Sequence, residues 1–524
     1  MSRYLGSFIA LWLLFLATAG TAQNVYSDPE LNKPLRIEIP VGSDNETYRV
    51  IPCMSDGMLI FFQSTETSTE NLVKWYFIFY DRNFQKQWTK AVPLGAEMTF
   101  ADSYSGNDTL SLFFQSEGKG KGSLPGFQVL RVIPHRGTFV LNNGDLPENA
   151  TLAMFRVIGR TCFAGLNIKG EQAKLMILDL PTGKQDFVTL TGAVQTCFSA
   201  MEVTPDGAMV NLVVRKQLTR RFWDYYFVKI SGDGRFLGET LMATMTPERQ
   251  LSETGIYSIS PTEQLLSGTY VLTSSVTDQQ HQQGTSKATG FFTALISGLT
   301  EKNTSFTNFL DFKSADAFLS ERDIISLRKK AMKKNRISTE YSTDLNMLIH
   351  NMVKSGDQYI LLGEAYYLQF HSESFTDFDF YGRPYNSSYS VFDGYRFTNA
   401  IVAGYDADGN LLWDNSMEIR NLLSNTPDPK VTMIFDGDKI ILAFLSEGKI
   451  GYKIIQGGNT VEKTDYTPLE LLLPDDRLIH ESKSNMIQWY DHYFICYGYQ
   501  EIKNLSISGN ATKLVFFCNK VQFE

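Results

Sequence analysis

The sequence predicts an all-β chain folded as a β-propeller of seven or eight four-stranded blades, with eight favoured. Three observations support this fold: hairpin turns recur about every fifty residues, distant hairpins align with one another without gaps, and an alternating segment near the N-terminus suits the strand that completes the last blade. A large all-β repeat fold holds a chain of 524 residues as one domain, so we expect residues 23–524 to form a single propeller.

The first residues predict export. One basic residue, Arg3, precedes an apolar run from Phe8 to Leu16, and small residues then lead to Ala22. This pattern is typical of a signal peptide, so we expect residues 1–22 to be removed and the protein to be secreted or periplasmic. An uncleaved anchor is less favoured because a spanning helix needs about 20 apolar residues. No later run is long enough either, which predicts no transmembrane segment in the mature chain.

Short polar turns define the repeat. Each lies between an alternating strand and a more continuously apolar one, and Asp-Gly pairs suit the positive φ of such hairpins. The turns are Ser55-Asp56-Gly57, Ser105-Gly106-Asn107-Asp108, Pro205-Asp206-Gly207, Ser355-Gly356-Asp357 and Asp436-Gly437-Asp438. A second type of hairpin aligns without gaps, because Asp81 precedes Trp88 by the same spacing as Asp406 precedes Trp413. A third copy places Asp233-Gly234 on Asp408-Gly409.

These turns divide the chain into units. The predicted units are residues 48–95, 98–145, 152–192, 195–243, 254–312, 343–420, 430–470 and 484–522. The last unit contains only three strands, and the segment Leu35 to Val41 is the predicted fourth. Pairing the two ends of the chain in one blade leaves no open sheet edge.

The repeat also resembles a known class of proteins. The turn Asp408-Gly409-Asn410 leading to Trp413, and the leader ending Thr21-Ala22-Gln23, resemble the hairpins and leaders of secreted bacterial β-propeller proteins. The resemblance covers the repeat units and implies the fold, but it implies no activity.

Composition excludes several classes of function. A net charge of −9 and a pI near 5.4 argue against nucleic acid, which needs a basic surface. The six histidines have no metal-ligand spacing and no CxxC pair is present, so we predict neither a metal nor a cofactor. Of the five cysteines, Cys496 and Cys518 are the one pair whose predicted hairpin suits a disulfide. The alternative is two buried free thiols.

Four long segments indicate where function resides. They are residues 118–126, 277–289, 313–344 and 371–396. In a propeller meander the connections between second and third strands, and between blades, lie at one end. All four segments are connections of these kinds, so we expect one elaborated, functional face.

The first notable insertion, about residues 313–342, predicts a helix from Lys313 to Arg336 with Ser314 as its N-cap. Its C-terminal part is basic, through Arg328, Lys329, Lys330, Lys333 and Lys334. These cations either complement the helix dipole in solvent or form a docking site for an acidic partner or anionic glycan.

The second insertion, an aromatic loop at residues 371–396, interleaves rings with carboxylates. The candidate binding residues are Phe375, Asp377, Phe378, Asp379, Tyr381, Arg383, Tyr385 and Tyr389. Rings beside carboxylates suit sugars, and Tyr with Arg suits protein interfaces. The alternative is that these rings fill a small core of their own.

Catalytic motifs are lacking, since the chain has no HExxH, GxSxG or Walker loop. The sequence therefore favours a binding protein that recognises a protein or a glycan on its loop-rich face. One alternative is a carbohydrate-active hydrolase or lyase that uses acids such as Glu364, Glu373, Asp377 and Asp379. The other is a structural component of an envelope assembly.

Overall fold

A computed structural model defines the architecture over most of the chain. It describes residues 27–28, 33–44, 47–67, 71–106, 108–118, 124–190, 195–219, 223–242, 249–272, 287–319, 322, 324–326, 329, 345–378, 380–504 and 512–523. The predicted signal peptide, residues 1–22, lies outside these ranges. Within them, no helix has both the length and the apolar character needed to cross a membrane.

The chain begins with short strands and then forms four-stranded sheets. A two-stranded ladder of β1 (Ser27–Asp28) and β2 (Lys33–Pro34) is followed by β3 (Arg36–Pro40). Blade 1 consists of β4 (Arg49–Cys53), β5 (Gly57–Thr67), β6 (Leu72–Tyr80) and β7 (Lys86–Gly95), and blade 2 of β8 (Thr99–Ser105), β9 (Leu110–Gln115), β10 (Gly126–Ile133) and β11 (Thr138–Asp145). Blade 3 consists of β12 (Ala150–Ile158), β13 (Thr161–Ile168), β14 (Lys174–Asp179) and β15 (Lys184–Thr189). Blade 4 consists of β16 (Thr196–Val203), β17 (Met209–Gln217), β18 (Trp223–Ser231) and β19 (Phe236–Leu241).

Blades 5 to 8 complete the set. Blade 5 consists of β20 (Arg249–Ser258), β21 (Glu263–Leu272), β22 (Gly290–Ser297) and β23 (Thr300–Asn308), and blade 6 of β24 (Asn346–Ile349), β25 (Val353–Ser355), β26 (Gln358–Phe378), β27 (Pro384–Tyr405) and β28 (Leu411–Ser424). Blade 7 consists of β29 (Thr432–Asp436), β30 (Lys439–Ser446), β31 (Lys449–Gln456) and β32 (Asn459–Pro468). Blade 8 consists of β33 (Asp476–Gln488), β34 (Tyr493–Asn504) and β35 (Thr512–Gln522) together with β3. Within the described ranges, short 3-10 turns occur at Met54–Asp56, Pro134–Arg136, Phe309–Asp311 and Ala315–Ala317.

The sheets form an eight-bladed propeller, which confirms the predicted fold and blade number. In blades 1 to 7 neighbouring strands pair antiparallel in chain order, and β24 and β25 together form the first strand of blade 6. The first strands of successive blades contact one another, as β8 contacts β12 and β12 contacts β16, so first strands line the central axis. In blade 8, β3 pairs with β35 through Arg36 opposite Asn519, so the predicted N-terminal strand does supply the outer strand.

Apolar cores lie between neighbouring blades rather than within them. Eight clusters of buried side chains each join one blade to the next. The cluster between blades 8 and 1 contains Ile60 and Phe516, which closes the ring. Because burying one such side chain stabilises by about 1.5–3 kcal/mol, these interfaces are the main source of stability.

The aligned hairpins have the same structural basis. Asp81 accepts hydrogen bonds from the backbone N–H groups of Asn83 and Gln85, both at 2.9 Å. Asp406 accepts equivalent bonds from Asp408 and Asn410, at 3.0 and 2.8 Å. The carboxylate therefore fixes the turn between third and fourth strands, as expected of an Asx turn.

Of the two alternatives for Cys496 and Cys518, the structure supports buried free thiols. All five cysteines are buried and free. The predicted hairpin is present, but Cys496 lies opposite Asn519 and Cys518 lies opposite Tyr497. This offset of one residue places the two thiols on opposite faces of the sheet, which rules out a disulfide between them.

The predicted N-cap of the helix is wrong. Ser314 donates its backbone N–H and its hydroxyl to the carboxylate of Asp414, at 2.8 and 2.7 Å, instead of capping a helix. The chain there forms 3-10 turns packed beside blade 6. The first described α-helical residue is Arg322, followed by residues 324–326 and 329.

Candidate functional site

The two ends of the propeller differ in their connections. Turns between first and second strands, and between third and fourth strands, are short. Residues 118–126, 277–289 and 371–396 connect second to third strands, and residues 313–344 connect blade 5 to blade 6. The topology therefore places all four long segments at one end, as predicted. We call this end the long-loop face.

The most prominent feature of this face is a hairpin rather than the predicted loop. Strands β26 and β27 contain 21 and 22 residues and stay paired from Tyr359 opposite Tyr405 to Phe378 opposite Pro384. Neighbouring strands pair with them only at their inner ends. We call residues 370–392, where the hairpin has no other partner strand, the arm. At about 3.3 Å per residue the arm projects roughly 30 Å.

One side of the arm combines rings with carboxylates. We call it the acidic aromatic face, and it consists of His371, Glu373, Phe375, Asp377, Tyr385, Ser387, Tyr389 and Val391. Its phenols are tied to its acids, because Tyr389 donates to Glu373 and Tyr385 donates to Asp377 at 3.2 Å. The rings of Phe375 and Tyr389 lie 5.9 Å apart between centroids. These contacts hold the rings in fixed positions above the strands.

The opposite side has a different composition. We call it the hydroxyl face, and its central residues are Ser372, Ser374, Thr376, Asn386, Ser388 and Ser390. Successive residues of a strand point to opposite sides, so the alternating sequence separates the two chemistries. Phe370 and Phe392 begin this face at the foot of the arm, with ring centroids 5.4 Å apart.

A charged group marks the foot of the acidic aromatic face. A β-bulge places Asp393 beside His371, whose Nδ1 bonds the Asp393 carboxylate and whose Nε2 lies 3.3 Å from Glu373. The bond to Asp393, and then that to Glu373, raises the pKa of His371. The pKa of Asp393 is lowered mainly by the same histidine. The pKa of Glu373 is lowered first by Tyr389 and then by His371.

The structure brings some predicted site residues together and separates others. Phe375, Asp377, Tyr385 and Tyr389 share the acidic aromatic face. Phe378 lies on the hydroxyl face near the tip, while Tyr381 and Arg383 belong to the tip connection. Asp379 lies outside the described residues. The rings of Phe375 and Tyr389 are 47% and 52% exposed, so they do not fill a core of their own.

The predicted basic patch is described at one position only. Lys329 is helical and exposed, whereas Arg328, Lys330, Lys333 and Lys334 lie outside the described residues. Its role stays a prediction.

Glu364 does not join the other candidate acids. Its carboxylate is fully buried and accepts hydrogen bonds from the Lys430 and Val431 backbone N–H groups at 2.9 Å, and it lies 2.6 Å from His350 Nε2. With its acceptors occupied, Glu364 joins blades 6 and 7 and has no free oxygen for a ligand.

Sequence reasoning missed a feature of the central channel. Five first strands carry a β-bulge close to their long-loop end, at Ala101, Ala153, Ser199, Ser252 with Glu253, and Ile479. A bulge leaves one residue unpaired and redirects its side chain. Periodicity indicated these strands but carried no signal for the bulges.

Glu253 is the charged residue among these bulges. Its side chain is exposed to solvent although it belongs to an innermost strand, so it faces the channel. Although the carboxyl contacts solvent, the protein around it still partly desolvates it, which raises the pKa of Glu253. The nearby charge of Arg215 opposes that rise. Burial, and then Glu253, raise the pKa of Tyr366 to about 12. Within the described ranges, no group of three His, Cys, Asp or Glu side chains has a metal-binding arrangement.

Comparisons with known proteins find only distant structural similarity. No family model and no curated protein matches the sequence. Among solved structures, the chain is similar to the β-propeller domain of the trilobed protease from Pyrococcus furiosus, with 9% identity, a TM-score of 0.34, and coverage of 80% of this chain and 97% of that chain. A polysaccharide lyase has 9% identity, a TM-score of 0.36, and coverage of 82% and 91%. A eukaryotic initiation factor has 10% identity, a TM-score of 0.39, and coverage of 91% and 98%.

Proposed function

We propose that this protein binds a neutral glycan through the acidic aromatic face of its arm. The observation that carries the proposal is that the rings of Phe375 and Tyr389 are about half exposed while the phenol of Tyr389 is fixed to Glu373. An exposed ring held in place loses little conformational entropy when a ligand packs on it.

The chemistry of the face favours a sugar over other ligands. A sugar ring offers an apolar face to an aromatic side chain and hydroxyl donors to a carboxylate. Phe375 and Tyr389 supply the rings, and Glu373 and Asp377 supply the acceptors. The same carboxylates repel anionic glycans, which is why the proposal is restricted to neutral ones. A protein partner is the competing outcome of the test below.

This function agrees with the proposed location. We propose that residues 1–22 direct export and that residues 23–524 act as one extracellular or periplasmic propeller. The carbohydrate-active hydrolase or lyase is the second candidate, favoured by the desolvated carboxyl of Glu253 at the same face.

The test is a glycan array probed with the full mature chain, followed by reducing-sugar release from every glycan that binds. We expect binding to neutral glycans without turnover. Phe375→Ala and Tyr389→Ala should each weaken binding at least tenfold. The matched control is Ser374→Ala with Ser388→Ala, which alters the hydroxyl face at the same level of the arm.

Three outcomes would count against the proposal. If no glycan on the array binds, a protein partner or a structural role in the envelope is favoured. Release of reducing ends, abolished by Glu253→Gln, favours the enzyme. Equal loss of binding in the Ser374/Ser388 control removes the acidic aromatic face as the site.

A further inference from the structure

The bulges of the first strands lie at one level of the central channel. Each falls between the third and fifth residue of its strand, counted from the long-loop end. Three of the redirected residues, Ala101, Ala153 and Ser199, are small, which leaves space around the axis. Glu253 and Ile479 are the larger ones, and both are exposed. The channel is therefore lined at this level by three small side chains and one exposed carboxyl.

Two polar side chains near this level, Glu253 and Arg215, have unused hydrogen-bonding atoms. Among the described residues, the Glu253 carboxyl makes no hydrogen bond or ion pair. Nearby, Arg215 Nε is buried without a partner, while the rest of the guanidinium interacts with Cys197 and Tyr225. Buried donors are almost always satisfied in native proteins, so an unsatisfied one beside an open channel points to a ligand or water. The pair Ser199 and Thr254, 2.6 Å apart between hydroxyl oxygens, adds groups that both donate and accept.

We infer that this level of the channel binds the terminal sugar of the glycan, between Glu253 and Arg215. The assignment rests on the proposed glycan binding and adds a second site to it. Glu253 accepts from sugar hydroxyls and Arg215 donates to them, while Ala101, Ala153 and Ile479 contact apolar parts of the ring. A ligand with both donors and acceptors fits this set better than a simple cation, because Arg215 offsets the charge of Glu253.

The channel site connects with the foot of the arm. The charge of Glu253 helps to raise the pKa of Tyr366, and the Tyr366 ring packs edge-on against Tyr395 with ring centroids 5.7 Å apart. Tyr395 in turn contacts Phe392 of the arm at 5.2 Å. A row of rings thus runs from Tyr366 to Phe392 at the foot of the arm, on the side of the hydroxyl face.

The test uses monosaccharides, which are too small to span both sites. The probes are methyl β-D-glucopyranoside, methyl β-D-galactopyranoside and methyl α-D-mannopyranoside, measured by saturation-transfer NMR and calorimetry on the full chain. We expect at least one probe to bind. Glu253→Gln should weaken it at least tenfold, and Ala153→Trp, which fills the channel from another blade, should abolish it.

Controls separate this inference from the proposed function. Phe375→Ala should leave monosaccharide binding unchanged while it weakens array binding. Glu202→Gln should also leave it unchanged, because Glu202 is held by the Ser258 N–H at 3.0 Å. Array binding without any monosaccharide binding, or monosaccharide binding that survives both Glu253→Gln and Ala153→Trp, overturns the channel site alone. Failure of both assays overturns both proposals.

Discussion

The inner and outer halves of β26 and β27 share one hydrogen-bonded ladder but not one environment. In the inner half Ile360 and Leu362 are 1% and 0% exposed, whereas in the arm Phe375 and Tyr389 are 47% and 52% exposed. Pairing is continuous between them apart from two bulges. A ladder therefore does not by itself demand burial, and rings kept on the exposed half are not explained by packing.

Carboxylates show the same contrast. Glu364 on the inner half is buried and accepts hydrogen bonds from two backbone N–H groups, while Glu373 on the arm is exposed and holds Tyr389 and His371. Within one strand, the buried acid joins two blades and the exposed acid positions side chains that face solvent.

The largest difference between the two halves is expected when each of the two acids, Glu364 and Glu373, is replaced in turn. Glu364→Ala leaves the N–H groups of Lys430 and Val431 buried without acceptors, and we expect it to lower the free energy of unfolding by about 4 kcal/mol. Glu373→Ala should change it by less than about 0.5 kcal/mol. Urea denaturation of both variants measures the difference, and similar values would contradict the division into two halves.

Apolar side chains should behave likewise. Leu362→Ala opens a cavity between blades 6 and 7, with an expected loss of about 3 kcal/mol. Phe375→Ala, although it removes a larger side chain, should stay within about 0.5 kcal/mol. A loss above about 1 kcal/mol for Phe375→Ala in the same urea titration would show that the ring packs against the propeller.

Excision tests the arm as a whole. Replacing residues 371–391 with Asn-Gly keeps the pair Phe370 and Phe392 and supplies a tight hairpin turn. We expect the free energy of unfolding to change by less than about 1 kcal/mol because an isolated two-stranded ribbon is only marginally stable. Glycan binding should be lost from the array while far-UV circular dichroism and monosaccharide binding persist. Unfolding of the excised chain would contradict the prediction.

The smallest effect is expected at His371. Because its folded pKa is raised above 6.5, the bonds of the imidazolium to Asp393 and Glu373 are complete below pH 6.5 and are lost as pH rises through the folded pKa. An NMR titration of the His371 ring should give a midpoint above 6.5, and Asp393→Asn should lower it. The thermal midpoint of the whole protein should not follow this titration, and a midpoint unmoved by Asp393→Asn would remove Asp393 as the main cause.

The propeller could be predicted because its signals are local. Residues such as Asp81 and Asp406 set each turn through their own backbone neighbours, and the turns recur at a fixed interval. The closing strand at Arg36–Pro40 was also predictable, since seven complete blades and three strands leave one position to fill.

Sequence reasoning could not decide features that depend on one residue of register. Cys496 and Cys518 miss each other by a single position, and a shift of one reverses the face of every side chain. The bulge at Glu253 is a deviation of the same size, with no turn residue to announce it. The arm was misread as a loop because both of its faces are polar or aromatic, so no apolar alternation marked it as paired.

The pairing of β3 with β35 also governs how the protein is made. The side chains of Arg36 and Asn519 hydrogen-bond across 483 positions, so Asn519 leaves the ribosome long after Arg36. Until β35 has been translated, β3 has no partner strand, and the surface of blade 1 that will pack against blade 8 is exposed. Completion of the circle therefore waits until β35 has been translated, and nascent chains must be kept from pairing with one another until then.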